Sequence, residues 1–157
     1  MWNDYAIARG LHVLAIVLWV GGVAFVTTVL IPAIRRRVPA AQQYTLFESV
    51  EHRFGAQARL WVLLALASGA WMLQATDGWA RLLDTGWLQL MLAAWLPFLL
   101  MLFVLEPLLI HRWLRNKAAR DPAGSMRLLQ WLHIGLLLLT LAAVAAGVVG
   151  AHGGWRY

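Results

Sequence analysis

The sequence predicts an all-α fold, an integral membrane four-helix up-down bundle. Three observations predict it. Apolar residues make up 62% of the 157 positions, against about 45–50% in an average globular chain. Charged residues reach only 13%, too few to cover a domain in water. Four apolar runs approach the length of about 20 residues that crosses a roughly 30 Å hydrocarbon core as a helix. None of the runs alternates with period two, and lipid leaves no backbone group unpaired, so they are helices and not barrel strands. This composition excludes an ordinary soluble enzyme, a disordered chain and a nucleic-acid-binding domain. The absence of cysteine excludes disulfides, zinc ribbons, iron–sulfur clusters and thiol catalysis.

The first span covers about 8–34 and is interrupted by His12, two threonines and Pro32. Pro39 then marks a helix start. Tyr44, Phe47, Val50 and Phe54 recur at helical spacing, with Glu48, Glu51 and Arg53 between them. They predict a cytoplasmic helical extension over about 41–56 that runs straight into the second span, about 56–76. The third span, about 87–111, carries Gln89 and Glu106. Asp121-Pro122 gives a turn and a first helical turn before the fourth span, about 127–150, which carries His133 and Thr140. The whole chain, 1–157, reads as a single four-span membrane domain, and its short connections favour up-down neighbours.

Charge sets the expected orientation. Arg35, Arg36, Arg37, Arg53 and Arg59 lie around the first connection, and Arg112, Arg115, Lys117, Arg120 and Arg127 around the third. The other ends hold Arg9, Arg81 and Arg156. Positive loops stay in the cytoplasm. Both termini and the loop at 77–84 are therefore expected on the periplasmic side of a bacterial inner (cytoplasmic) membrane. The net charge of +6 follows from this bias and from attraction to anionic lipid. No nucleic acid is needed to explain it. The N-terminal run is too long for a cleavable signal, and Asp4 stands where a basic segment would. Trp2, Tyr5, Trp79, Trp87, Trp155 and Tyr157 form an aromatic belt at the expected outer boundary, with Trp113 and Trp131 near the inner one.

Small residues mark expected helix contacts: Gly21 and Gly22 in the first span, 65–70 in the second, and 142–150 in the fourth. Ionisable groups at membrane depth are costly, so each is a functional candidate. His12 and His152 fall towards the outer side; His52, His111 and His133 fall towards the inner one. Imidazole suits haem iron, copper and proton relay. His12 and His133 are roughly 15 Å apart by helical rise, so they are expected in separate layers, with His152 and His111 as partners. Glu106 would pair with Arg112, Arg59 or Arg127, or with the neighbouring arginines hold haem propionates or relay protons. His12 with Met72 and Met91 would suit Cu(I), because thioether sulfur is soft. His52 follows Glu48 by four residues and reads as an ordinary helical pair. Ser68 and Ser125 show no His–Asp arrangement, and no glycine loop cradles phosphate.

Leu11-His12-Val13 through Trp19-Val20-Gly21-Gly22, then Pro32, resembles the copper resistance protein D (CopD) family of bacterial inner-membrane proteins. Glu51-His52-Arg53-Phe54, leading to Ser68-Gly69, is similar to that family too. A more distant likeness is to HemJ-type four-helix membrane proteins. The resemblance covers about the first half of the chain. It implies four inner-membrane helices and a role in copper handling or haem chemistry, with His12 as a haem b ligand. The HemJ type, protoporphyrinogen oxidases, has a lysine early in its third helix; Gln89 stands at the nearest position here, a departure that bears on both the oxidase activity and the axial pair which the likeness implies.

The expected function is therefore that of an inner-membrane protein binding b-type haem and taking part in electron transfer, alone or as a small subunit of a respiratory assembly. The lipid bilayer is its surroundings, and a quinone or other respiratory subunits are its candidate partners. The alternatives are CopD-type copper transport or resistance, and a cofactor-free structural subunit. No catalytic residue is assigned.

Overall fold

The computed structural model describes residues 3–154, with the side chains of 106–112 outside the description. It is all-helical among the described residues. Four helices are long and apolar enough to cross a membrane.

Helix α1 runs Asp4–Arg37. Asn3 caps its start by accepting a hydrogen bond from the Tyr5 amide at 3.0 Å. One π-helical turn, Val26–Leu30, interrupts it. Sequence explains the break. Pro32 has no N–H to give, and its ring crowds the carbonyl of the residue four positions earlier. The Ile31 amide reaches back five residues to the Val26 carbonyl, which widens the turn and relieves that crowding. Thr27 and Thr28 back-bond to the Val23 and Ala24 carbonyls at 2.6 and 2.7 Å, a habit that bends helices.

Val38 and Pro39 turn the chain into α2, Ala40–Ala75. Gln43 fastens the turn: its amide donates to the Val38 carbonyl at 2.9 Å and to the Arg35 carbonyl at 3.4 Å. The 36 residues of α2 are about 54 Å long, more than a hydrocarbon core of about 30 Å takes up. Its first half carries Gln42, Gln43, Glu48, Glu51, His52 and Arg53, so that half is the part left outside the apolar slab.

A 3-10 turn, Gly78–Ala80, and a one-turn helix, Arg81–Asp84, lead to α3, Gly86–Leu100. Helical backbone continues from α3 as a π-helical stretch, Met101–Ile110, and then as α4, His111–Arg120. The third rod is thus longer than its apolar run, which ends near residue 111. The reason is amphipathic packing: Leu114 and Ala118 of α4 are buried while Trp113 stays exposed. Helix α5, Pro122–Ala151, starts with Asp121 accepting from the Gly124 amide at 2.9 Å.

Contacts between side chains fix the arrangement. Helices α1 and α2 are antiparallel, with His12 beside Gly69 and Gly22 beside Phe54. So are α3 and α5, with Trp87 against Gly150 and Met91 against Gly147. Across the bundle, the Trp19 ring of α1 meets Phe98 of α3 edge to face, centroids 4.7 Å apart at 87°. Two apolar clusters result. The central one gathers Trp19, Val23, Val62, Phe98 and Leu137. The other joins the end of α1, the first half of α2, α4 and the start of α5 through Ile31, Phe47, Leu114 and Met126. Away from these clusters the rods expose leucine and valine freely; Val13, Leu14, Val17 and Leu18 are 47–60% exposed. Such a surface suits lipid and not water.

Candidate functional site

His12 lies on the α2 side of α1. Its Nδ1 is 2.8 Å from the Ala65 carbonyl and 3.1 Å from the Ser68 hydroxyl. A carbonyl can only accept, so the ring proton sits on Nδ1. Ser68 passes its own proton to the Leu64 carbonyl at 2.5 Å. The serine is therefore a relay of helix contacts and not an activated nucleophile. Gly69 makes room for the ring: a Cβ there would stand 3.3 Å from His12 Cε1. The sequence reading saw both Ser68 and His12 and missed that they meet.

His133 is the second candidate imidazole, on the first half of α5 opposite Phe47 of α2. Its Nδ1 lies 2.9 Å from the Leu129 carbonyl, one turn back on α5. The ring stands edge to face with Phe47, centroids 5.8 Å apart. The two histidines lie in separate layers, farther apart than the roughly 15 Å expected: their α2 neighbours, Ala65 and Phe47, are 18 residues apart, about 27 Å of helix. In both rings Nδ1–H is committed to a backbone carbonyl. That fixes the tautomer and leaves Nε2 as the lone-pair nitrogen, the usual state of a metal-binding imidazole.

The other candidates are not drawn together. His152 is exposed beyond the end of α5, with Nδ1 2.7 Å from the Val148 carbonyl, and no described contact joins it to His12. His52 is exposed. The side chains of Glu106 and His111 lie outside the described residues. Met91 packs on Gly147 of α5, away from the Ala65 and Ser68 surface that holds His12. Met72 is half-buried on α2. Among the described residues no three His, Asp or Glu side chains gather as a metal cluster.

Polar contacts that sequence reading did not single out tie the helices together. Gln130 of α5 donates to the Thr27 carbonyl at 2.8 Å. Arg59 Nε donates to the Leu102 carbonyl at 3.1 Å. Trp95 Nε1 donates to the Val62 carbonyl at 3.0 Å. Two buried atoms have no partner among the described residues: Trp19 Nε1 and Gln130 Oε1.

All four rods contribute to one cleft of about 120 Å³. Trp19 lines it from α1, Phe47 and Phe54 from α2, Phe98 from α3, Trp113 from α4 and His133 from α5. A shallower groove of about 290 Å³ runs between α1 and α2 beside Ala8, Ser68 and Trp71.

The donor nitrogens suit haem iron. The space does not suit the macrocycle. Ordinary ligand pockets measure about 300–1,000 Å³, well above the cleft beside His133, and the His12 ring is held between two touching helices.

No family model, curated protein or solved structure matches the chain.

Proposed function

We propose that the chain is a multi-pass protein of the bacterial inner membrane that takes part in electron transfer, alone or as a small subunit of a respiratory assembly. Its arginine-rich end faces the cytoplasm and both termini face the periplasm. The likeness to the CopD family supports the membrane and the metal or redox setting. One observation carries the reading. Among the described residues all four rods line one cleft with aromatic walls, and it contains an imidazole whose Nδ1 is committed to a carbonyl, the side chain best suited to proton and metal chemistry near neutral pH.

Haem b on His12 or His133 remains the cofactor that this chemistry favours at the donor atoms. The cleft beside His133 measures about 120 Å³ among the described residues, so the reading keeps electron transfer and does not depend on haem.

The test is a visible spectrum and a metal analysis of the detergent-extracted protein. A Soret band with reducible α and β bands, or reduction of a quinone by membranes holding the protein but not by membranes lacking it, supports the reading. A colourless, metal-free protein that changes no electron flux when deleted overturns it and leaves a structural subunit. Stoichiometric Cu(I) on a colourless protein would mean transport in place of electron transfer.

A further inference from the structure

The groove between α1 and α2 lies at the arginine-poor end of the rods, away from His133. On each helix its lining residues recur three and four apart, so each helix contributes one continuous face. Ala8 and Ser68 are buried and form the floor, while Ile7, Leu11 and Trp71 are exposed and form the walls. Small residues below and large ones beside them make a trough of about 290 Å³. The Ser68 hydroxyl donates to the Leu64 carbonyl and meets His12 Nδ1, so the floor asks for no further polar partner. A hydrocarbon suits it.

The length of the trough is that of one leaflet. Asp4, at its outer end, lies about 12 Å of helical rise from His12. Ser68 stands beside His12, and Leu64 is one turn deeper, about 5 Å. The sum, about 17 Å, is close to half of a roughly 30 Å hydrocarbon core. Deeper still, the same helix faces carry Leu18 and Leu60, 47% and 57% exposed, so the small floor stops there. A single acyl chain needs a seat of this length. A helix of another subunit would need one across both leaflets.

The outer end adds charge. Asp4 is exposed and makes no ion pair among the described residues. A carboxylate at headgroup depth attracts a cation and repels a headgroup of net negative charge. A primary ammonium can also donate N–H bonds to it, which a quaternary one cannot. Trp71 stands at the same end, and an indole prefers the headgroup layer.

We propose that the trough seats one acyl chain of a phospholipid whose headgroup carries a primary ammonium, with that ammonium on Asp4. The inference goes beyond the electron-transfer reading and rests only on the membrane setting.

The test is native mass spectrometry of the full chain released from detergent micelles, titrated with dioleoyl phosphatidylethanolamine or with dioleoyl phosphatidylglycerol. The expected result is one phosphatidylethanolamine retained per chain. Asp4→Asn should weaken it by about two- to fivefold, the worth of one exposed ion pair, and leave phosphatidylglycerol binding unchanged. Ala67 is exposed in the trough, so Ala67→Phe fills the space and should weaken phosphatidylethanolamine at least about tenfold, the worth of about two buried methylenes. Helical circular dichroism and the melting midpoint show that both variants fold. No retained phosphatidylethanolamine, or equal retention by folded Ala67→Phe, overturns the seat. Equal retention by Asp4→Asn, or an equal loss of both lipids, overturns the headgroup. A dimer mass that Ala67→Phe abolishes makes a second copy the occupant and overturns the lipid. None of these outcomes touches electron flux, so the failure of either reading leaves the other standing.

Discussion

Adjacent glycines in α1 should respond oppositely to the same substitution. Gly21 and Gly22 differ only in the direction they face. A Cβ on Gly21 meets nothing within 4 Å, whereas one on Gly22 lands inside the ring edge of Phe54. Phe54 packs against both apolar clusters, so moving its ring towards the cleft to admit a methyl gives up contacts with both. Replacing glycine by alanine in a helix gains about 0.5–1 kcal/mol. Gly21→Ala should show that gain in full. Gly22→Ala should receive the same gain and lose about 1–3 kcal/mol to overpacking. The two variants should then differ by about 1–3 kcal/mol, with Gly22→Ala the less stable. Reversible unfolding in mixed detergent micelles, followed by circular dichroism, measures both. Equal midpoints for the two variants, or a Gly22→Ala more stable than wild type, would refute the close approach of α1 to α2 at Phe54.

Tyr44 sits in the part of α2 outside the apolar slab, and its hydroxyl is pushed up to about 12 from 10.0 by burial first, then by the Glu48 and Glu51 carboxylates. A raised phenol keeps its proton in the folded state while the unfolded state loses it, so stability should fall as pH rises from about 10 to about 12. Tyr44→Phe should flatten that fall, as measured by melting midpoints across the interval. Gln130→Leu should destabilise by about 0.6–1.7 kcal/mol, the range for hydrogen bonds between membrane helices. In a Pro32→Ala background the new amide can serve the Thr27 carbonyl, so the cost of Gln130→Leu should shrink by about 0.5–1.5 kcal/mol in a double-mutant cycle; an unchanged cost would sink the pairing.

Hydropathy made the four rods legible, because span length follows directly from bilayer thickness. The amphipathic extension of α2 was legible in part: Tyr44 and Phe47 are buried, at 6% and 2% exposure, and Phe54 is half-buried, whereas Val50, of the same spacing, is exposed. Rotation was not. Gly21 and Gly22 look alike in the sequence, yet only Gly22 touches a neighbour, because 100° of helical turn separates them. The site was half legible. His12 and His133 could be named from cost alone, since lipid penalises any imidazole without a reason to be there. Their partners could not, because Ala65 and Leu129 contribute carbonyls, which every residue has. The orphan N–H of Trp19 was hidden for a related cause. A tryptophan reads as apolar, and whether its nitrogen finds an acceptor depends on a neighbour distant in sequence.

The prolines show how sequence can still announce such partners. In a π-helical turn a carbonyl looks five residues ahead for its donor. Thr27 looks to position 32 and Leu102 to position 107, and both positions are proline. Each carbonyl is therefore stranded in a setting without water, where an unpaired group costs several kcal/mol. In each case a long polar side chain from another helix arrives: Gln130 at 2.8 Å on Thr27, and Arg59 at 3.1 Å on Leu102. Two unrelated rods meet the same defect with the same remedy. These bonds give Gln130 and Arg59 a structural role at the helix interfaces. That role separates them from His133, whose Nδ1 needs only its own helix. His12 and His133 are both left with an Nε2 that no backbone group of the described residues engages.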